Sequence, residues 1–505
     1  MNRRGSAWML VLPAVSAALG GCGAPVRAPS PGGLDAALSR ASHHAGPTEE
    51  SPSPPLSLLN AALPANSTVE PPAGPQPVDV YIQVALAENR TVRAAWLNVE
   101  SLRHRIPQVT SLDDPVVSNT VFPIPSVAPQ YSLMGYMPYG ALIAQQFPWC
   151  GTLRLRGEAA EHDVQVALQE LAAAQLDVVA AVKKAYHDLA FAQRASEILA
   201  ENRRLAVEFV KIAREKYRTG TATQADVLRS ESAVSDIDRE AELNLQNLAD
   251  ARSDLARLLH ADPEADLQAV ATRPPADVPG EVRRLYALAV ASRPELRGRL
   301  AAVARDLTGV ELARKRSYPN VTLGLVYQDM ERTNAESRTA GGMPNVGLFV
   351  GFNLPVYRKK IVAGVREAEA RAAADSALYE AESDQARRDV KDAFTQVRTQ
   401  RNILELLRTS NLPRSRQIFE AATADYRAGN AGADYLSLLS AWRDVLQTEL
   451  QIAQVETELS KALAGLERAV GVELNEHPPE PSADPANATR SAVDENPGPS
   501  RDDGR

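Results

Sequence analysis

A mainly α-helical fold that also carries membrane β-strands, with the whole arrangement present twice, is what this sequence predicts. Three observations carry the prediction. The tetrads Tyr217-Arg218-Thr219-Gly220 and Tyr426-Arg427-Ala428-Gly429 lie 209 residues apart, and Glu158 and Glu367 keep the same offset, so segments 158–218 and 367–427 are two versions of one unit. Each version is a helical stretch of about sixty residues. Between the helices run short stretches whose apolar residues alternate with polar ones.

The chain opens on an export signal, residues 1–21. Arg3 and Arg4 supply its positive start, and the apolar run from Trp8 to Leu19 is too short for a membrane span. It ends in Leu19-Gly20-Gly21-Cys22, which resembles the bacterial lipoprotein processing box and makes Cys22 the expected site of lipidation. Residues 22–77 are rich in Pro, Ala, Gly and Ser and read as a disordered tether, as does a tail over 473–505. Between them lie repeat one, 78–280, and repeat two, 281–472.

Each repeat starts with a helix. The first is expected at about 78–106, stopped by Pro107, and the second at about 281–317, stopped by Pro319. Asn89-Arg90-Thr91-Val92 in the first aligns with Arg293-Pro294-Glu295-Leu296 in the second. Strands follow. In Asn345–Leu354, Val346, Leu348, Val350, Phe352 and Leu354 share a face, and Val321, Leu323, Leu325 and Tyr327 do the same in the strand before it. Repeat one offers Tyr139–Phe147 and a poorer stretch at 116–124, interrupted by Pro123. Strands of about ten residues with one apolar face suit a transmembrane barrel.

The long helices come next. From Glu158 to Arg218 there is no proline, and Val164, Leu168, Leu171, Val178, Val182, Ala185 and Leu189 fall at spacings of three and four. Such a helix is roughly 90 Å long. A partner returns over about 224–260, and repeat two repeats the hairpin over about 362–428 and 433–470. Four strands per chain cannot close a barrel, and an open edge cannot face lipid, so several copies have to pool their strands.

A net charge of −8 argues against a nucleic-acid binder. No clustered His, Cys or carboxylate spacing suggests a metal, and no nucleophile motif or phosphate loop suggests catalysis or a cofactor. The lone Cys150 reads as a strand-end residue.

Together, Leu19-Gly20-Gly21-Cys22, Arg293-Pro294-Glu295-Leu296, Gln146-Phe147-Pro148-Trp149, Asn353-Leu354-Pro355-Val356, the two tetrads, Ala225-Asp226-Val227-Leu228 and Ala433-Asp434-Tyr435-Leu436 resemble the TolC-type outer-membrane efflux proteins, in their lipid-anchored branch. The resemblance spans about 78–472. It implies a homotrimer with a twelve-stranded barrel in the outer membrane and a helical tunnel across the periplasm. It implies no enzyme activity: substrates pass from an inner-membrane pump through a periplasmic adaptor protein. The tips, with Tyr217, Arg218, Gly220, Tyr426, Arg427 and Gly429, would dock the adaptor. Asp434 would sit at the periplasmic gate, with Asp226 at the matching position of repeat one and Ser437 where a second aspartate often stands. Asn430-Ala431 replaces the arginine that pairs with the repeat-one acid in some members. Competing readings are a periplasmic coiled-coil lipoprotein without a pore, and the same channel serving heavy-metal cations or type I protein secretion.

Overall fold

The computed structural model describes residues 74–121, 136–270, 282–331, 344–428 and 435–474. Four strands form one antiparallel sheet in the order β2-β3-β5-β6: β2 (Val116–Val121), β3 (Tyr136–Phe147), β5 (Val321–Glu331) and β6 (Asn345–Phe352). Register sets the apolar residues in rows across it. Phe147 pairs with Val321 and Val321 with Phe352; Ile143 pairs with Leu325 and Leu325 with Leu348. One face therefore carries Val117, Ile143, Leu323, Leu325, Val346, Leu348, Val350 and Phe352, all exposed, as the sequence alternation predicts. Leu348, 86% exposed, lies mid-row on β6. The other face mixes glycines and polar residues such as Gly324, Gly347, Gly351, Thr322 and Gln328 with the apolar Val116, Leu142, Val326 and Phe349. Gly324 is essential to it, because a Cβ there would come within 2.8 Å of the Ile143 carbonyl and 3.0 Å of Leu142 Cδ1. Gly324→Ala is accordingly expected to lower the yield of folded protein, whereas Gly347→Ala, where nothing lies within 4 Å, is expected to leave it unchanged; heat-modifiable migration on gels reads both.

Under the sheet stand the helices. Repeat one has α1 (Val78–Glu88), α2 (Arg90–Thr110), α3 (Thr152–Arg218) and α4 (Gln224–Leu259). Repeat two has α5 (Val282–Ser292), α6 (Pro294–Lys315), α7 (Arg358–Leu406), a π-helical segment (Leu407–Asn411), α8 (Leu412–Ala428) and α9 (Tyr435–Val470). The α3 and α4 pair and the α7–α8 and α9 pair are the two hairpins, with both returning helices 36 residues long. The seam on α3 is buried as its spacing predicts, including Val164, Leu171, Val182 and Leu189.

Three expectations need correction. The opening helices do not run unbroken to their prolines. Both break early, at Asn89 (φ −65°, ψ 120°) and at Arg293 (φ −63°, ψ 123°), the very residues the two openings align. Asn89 does this by side-chain capping of Thr91 and Val92, Arg293 by preceding a proline at the first helical position. Pro107 does not stop α2, which continues to Thr110. Near a helix end the missing N–H costs one bond, and the hydroxyls of Thr110 and Ser111 bond the carbonyls of Ile106 and Pro107. Finally, the rod of repeat two is not continuous. Pro413 has no N–H to donate, and one turn before it the backbone widens so that Leu412 N–H reaches Leu407 O.

The end of the predicted tether also folds. Strand β1 (Gly74–Gln76) pairs in parallel with β4 (Leu267–Ala269). Two buried tyrosines pin this small sheet: Tyr81 Oη donates to Gln268 O (3.0 Å) and Tyr186 Oη to Gln76 O (3.0 Å). Nearby, two ion pairs join the repeats, Arg468 to Asp177 (2.5 Å) and Lys183 to Glu467 (2.7 Å); within repeat two, Arg468 also pairs with Glu295 (2.5 Å) and Arg293 with Asp389 (2.9 Å). Burial, then the charges of Lys183 and Lys461, hold His187 neutral down to about pH 4.

Candidate gate and docking site at the hairpin tips

At the far end of α3 the chain must reverse within five residues. Gly220 takes φ +77°, which a side chain would strain. The carbonyl of Lys216 collects the freed donors, accepting from the N–H groups of Thr221 (2.8 Å) and Ala222 (3.2 Å) and from the hydroxyls of Thr219 and Thr221. Thr223 then caps α4. Its Oγ1 accepts from Asp226 N–H, while the Asp226 carboxylate accepts from Thr223 N–H (3.0 Å) and its hydroxyl (2.8 Å). That reciprocal arrangement is worth about 1 kcal/mol. Asp226 also lies 3.6 Å from Arg229.

Inside the tip, the two hairpins meet through a polar cluster in an apolar frame. Ser230 Oγ donates to Asp226 O (2.7 Å) and lies 2.6 Å from Tyr435 Oη. The rings of Tyr435 and Tyr426 are 5.5 Å apart. Lys216 Nζ sits 3.8 Å from the centre of the Tyr426 ring and donates to its backbone carbonyl, tying the end of α3 to the end of α8. The Tyr426 hydroxyl is buried with no hydrogen-bond partner among the described residues. Burial first, then the Asp226 carboxylate and Tyr435, pushes it up to about 12. Burial also raises Tyr435, against the pull of its bond to Ser230.

The two tetrads are thus not equivalent in space. Tyr217 is 50% exposed and Tyr426 only 7%. Arg218 is exposed and pairs with Glu215 (2.9 Å); Arg427 is exposed with no ion pair among the described residues. Ser437 is exposed on the first turn of α9, its carbonyl accepting from Ser440. Cys22, Gly429 and Asp434 lie outside the described residues. Lys216, Ser230 and Tyr435 are the tip residues that sequence reasoning missed. A signal existed for Lys216: its counterpart at the 209 offset is Asp425, so the repeats differ in charge sign there.

The sheet with one apolar exposed face, the duplicated hairpins and their joined tips match a known pattern. The model of the outer membrane efflux protein family matches twice, over residues 81–260 and 285–472. The chain belongs to that family. It is an outer-membrane channel component, mainly helical, whose strands contribute to a membrane β-barrel that a helical tunnel continues. Among curated relatives, the cobalt-zinc-cadmium resistance protein CzcC of Cupriavidus metallidurans is 24% identical over 408 residues, covering 79% of this chain and 91% of that one. The outer-membrane channel OprN has the same fold, with a TM-score of 0.62 at 22% identity over 85% of this chain and 99% of its own. So has the outer membrane protein VceC of Vibrio cholerae, with 0.64 at 18% identity over 79% and 97%.

Proposed function

We propose that three copies of the chain close a twelve-stranded barrel and a hollow helical tunnel, and that this conduit passively exports substrates handed over by an inner-membrane pump through a periplasmic adaptor. The observation that carries the reading is the four-stranded sheet whose apolar face points to solvent and whose outer strands, β2 and β6, have no neighbour on one side among the described residues. Such a sheet is stable in lipid only if other copies complete it. Cys22, once cleaved from residues 1–21 and acylated, tethers the subunit to the outer membrane through the 22–77 segment. The diacylglycerol on the Cys22 thiol is one lipid attachment, and the barrel supplies a second.

The tips form both the gate and the docking surface. Exposed Tyr217, Arg218 and Arg427, with the turn at Gly220 and with Gly429, face the adaptor, while Asp434 and Asp226 narrow the entrance. Ser437 in place of a second acid makes the ring thinner. Repetition by symmetry places one Asp434 carboxylate per subunit around a narrow opening, which concentrates cations there. Reconstituted in planar bilayers, the full chain is expected to give discrete conductance steps. Asp434→Ala is expected to raise conductance and weaken block by multivalent cations about tenfold or more. A wild-type protein that forms no steps sinks the channel; unchanged records for the variant sink the gate alone.

The likeness to CzcC, spread along nearly all of that protein, favours heavy-metal cations as cargo over organic compounds or secreted protein. Metal sensitivity of a deletion strain, restored by the intact chain, tests this.

A further inference from the structure

Just beyond the periplasm-proximal rim of the sheet, the chain changes character. The rim itself is the row Phe147, Val321 and Phe352. Three asparagine-anchored contacts hold the strand ends to one another there: Asn320 N–H donates to Asn353 Oδ1 (2.5 Å), Asn353 N–H to Asn320 O (3.4 Å), and Trp149 N–H to Asn320 Oδ1 (3.3 Å). Trp149 stacks on Tyr318, ring centres 5.0 Å apart and nearly parallel, with Lys315 Nζ 5.7 Å from the Tyr318 ring. Within two helical turns of this row lie Arg156, Lys315, Arg316, Arg358, Lys359 and Lys360. None of the six has a carboxylate partner among the described residues, and all but the half-buried Lys315 are exposed. Neighbouring Arg154 and Arg314, by contrast, are paired with Glu158, Glu311 and Glu369. The unpaired acids at this level are Asp113 and Asp114, in the loop before β2.

Six cations without carboxylate partners, against two unpaired acids, thus stand at the edge of an apolar band, where a membrane protein meets lipid headgroups. Aromatic rings settle at the boundary between hydrocarbon and headgroups, and lysines and arginines just past it meet lipid phosphates. We infer that Arg156, Lys315, Arg316, Arg358, Lys359 and Lys360, with the Trp149–Tyr318 stack, form a collar that binds the phosphate groups of anionic phospholipids in the periplasm-facing leaflet. This rests on the reading that the sheet crosses the outer membrane. The collar fixes the depth of the sheet in the bilayer and supplies the charge that the neutral, apolar strand face lacks.

The test uses the full-length assembled protein in detergent, with retained lipid measured by native mass spectrometry. The probes are phosphatidylglycerol and phosphatidylcholine of identical acyl chains. Wild type is expected to keep phosphatidylglycerol in preference, and to lose the preference when salt is raised to about 1 M, where the Debye length falls to about 3 Å. The triple variant Arg358→Gln/Lys359→Gln/Lys360→Gln is expected to hold it at least about tenfold more weakly, and Arg156→Gln/Arg316→Gln to weaken it less. A control, Arg204→Gln/Arg239→Gln, removes two charges from the helical rods, with Arg204 about 70 Å along α3 from Arg156, and is expected to match wild type. No lipid preference in wild type, or collar variants that bind like the control, overturns the inference. So does a collar variant that alters ion selectivity of the reconstituted pore while lipid retention stays at the wild-type level, because the cations then line the passage. If a variant fails to assemble, the salt dependence of wild type alone decides. Loss of conductance steps with lipid preference intact counts against the channel and leaves the collar standing.

Discussion

Leu348→Arg is expected to prevent stable insertion, while Gly347→Arg, one residue earlier, is expected to insert nearly as wild type. The contrast follows from strand parity. Leu348 is the most exposed large apolar residue among those described and lies mid-strand, in register with Leu325 and beside Val346 and Val350. Placed in hydrocarbon, an arginine there costs about 2–4 kcal/mol at the bilayer midplane, and every subunit carries the cost. Gly347 points to the opposite face, where a Cβ meets nothing within 4 Å and where a water-filled interior accepts charge. The fraction of protein in the membrane after urea extraction, together with heat-modifiable migration, separates the two. Equal behaviour of both variants would mean that the apolar face is not the lipid face.

Trp442→Ala is expected to cost about 3–5 kcal/mol, the range for deleting a large buried aromatic. Trp442 is only 2% exposed on α9, and it holds the repeats together near the tips. Its Nε1–H donates to Asn202 Oδ1 on α3 (3.0 Å), and its ring meets Phe209 edge-on at 5.8 Å. Around it pack Leu199, Ile237, Leu438 and Leu439, so one substitution empties the centre of the cluster. Trp442→Phe keeps most of the apolar contact but orphans the buried Asn202 oxygen, at about 1–3 kcal/mol. Denaturant unfolding of the purified full chain should order the three proteins wild type, Phe, Ala. An alanine variant within 1 kcal/mol of wild type would show that the seam does not depend on this contact.

Much of the architecture was legible because it is repetitive. A 209-residue offset needs no structural knowledge to find, and period-2 and heptad-like patterns survive in long elements because burial enforces them at every turn. The alignment of Asn89 with Arg293 marked two equivalent positions but was not read as two helix breaks, because the side chains there solve one backbone problem differently. Local exceptions were not legible. Pro107 stays inside α2, whereas Pro413 is preceded by a π turn, and a proline's effect depends on which carbonyls it leaves without donors. The three-residue strands β1 and β4 are too short for any periodicity and exist because Tyr81 and Tyr186 hold them. At the tips the motif marked the place but not the roles. Tyr217 and Tyr426 share a motif and differ in environment, since Lys216, Ser230 and Tyr435 come together only when the two hairpins pack.

On the proposed assembly, the margins of β2 and β6, which pair with no further strand among the described residues, also decide the fate of a solitary subunit. Until other copies join it, it presents two open strand edges and a greasy panel, a template on which any stray strand can grow. Its lifetime as a single molecule is therefore a race between correct closure and clumping. Raising expression speeds both, so crowding the export route is expected to yield insoluble deposits rather than more pores.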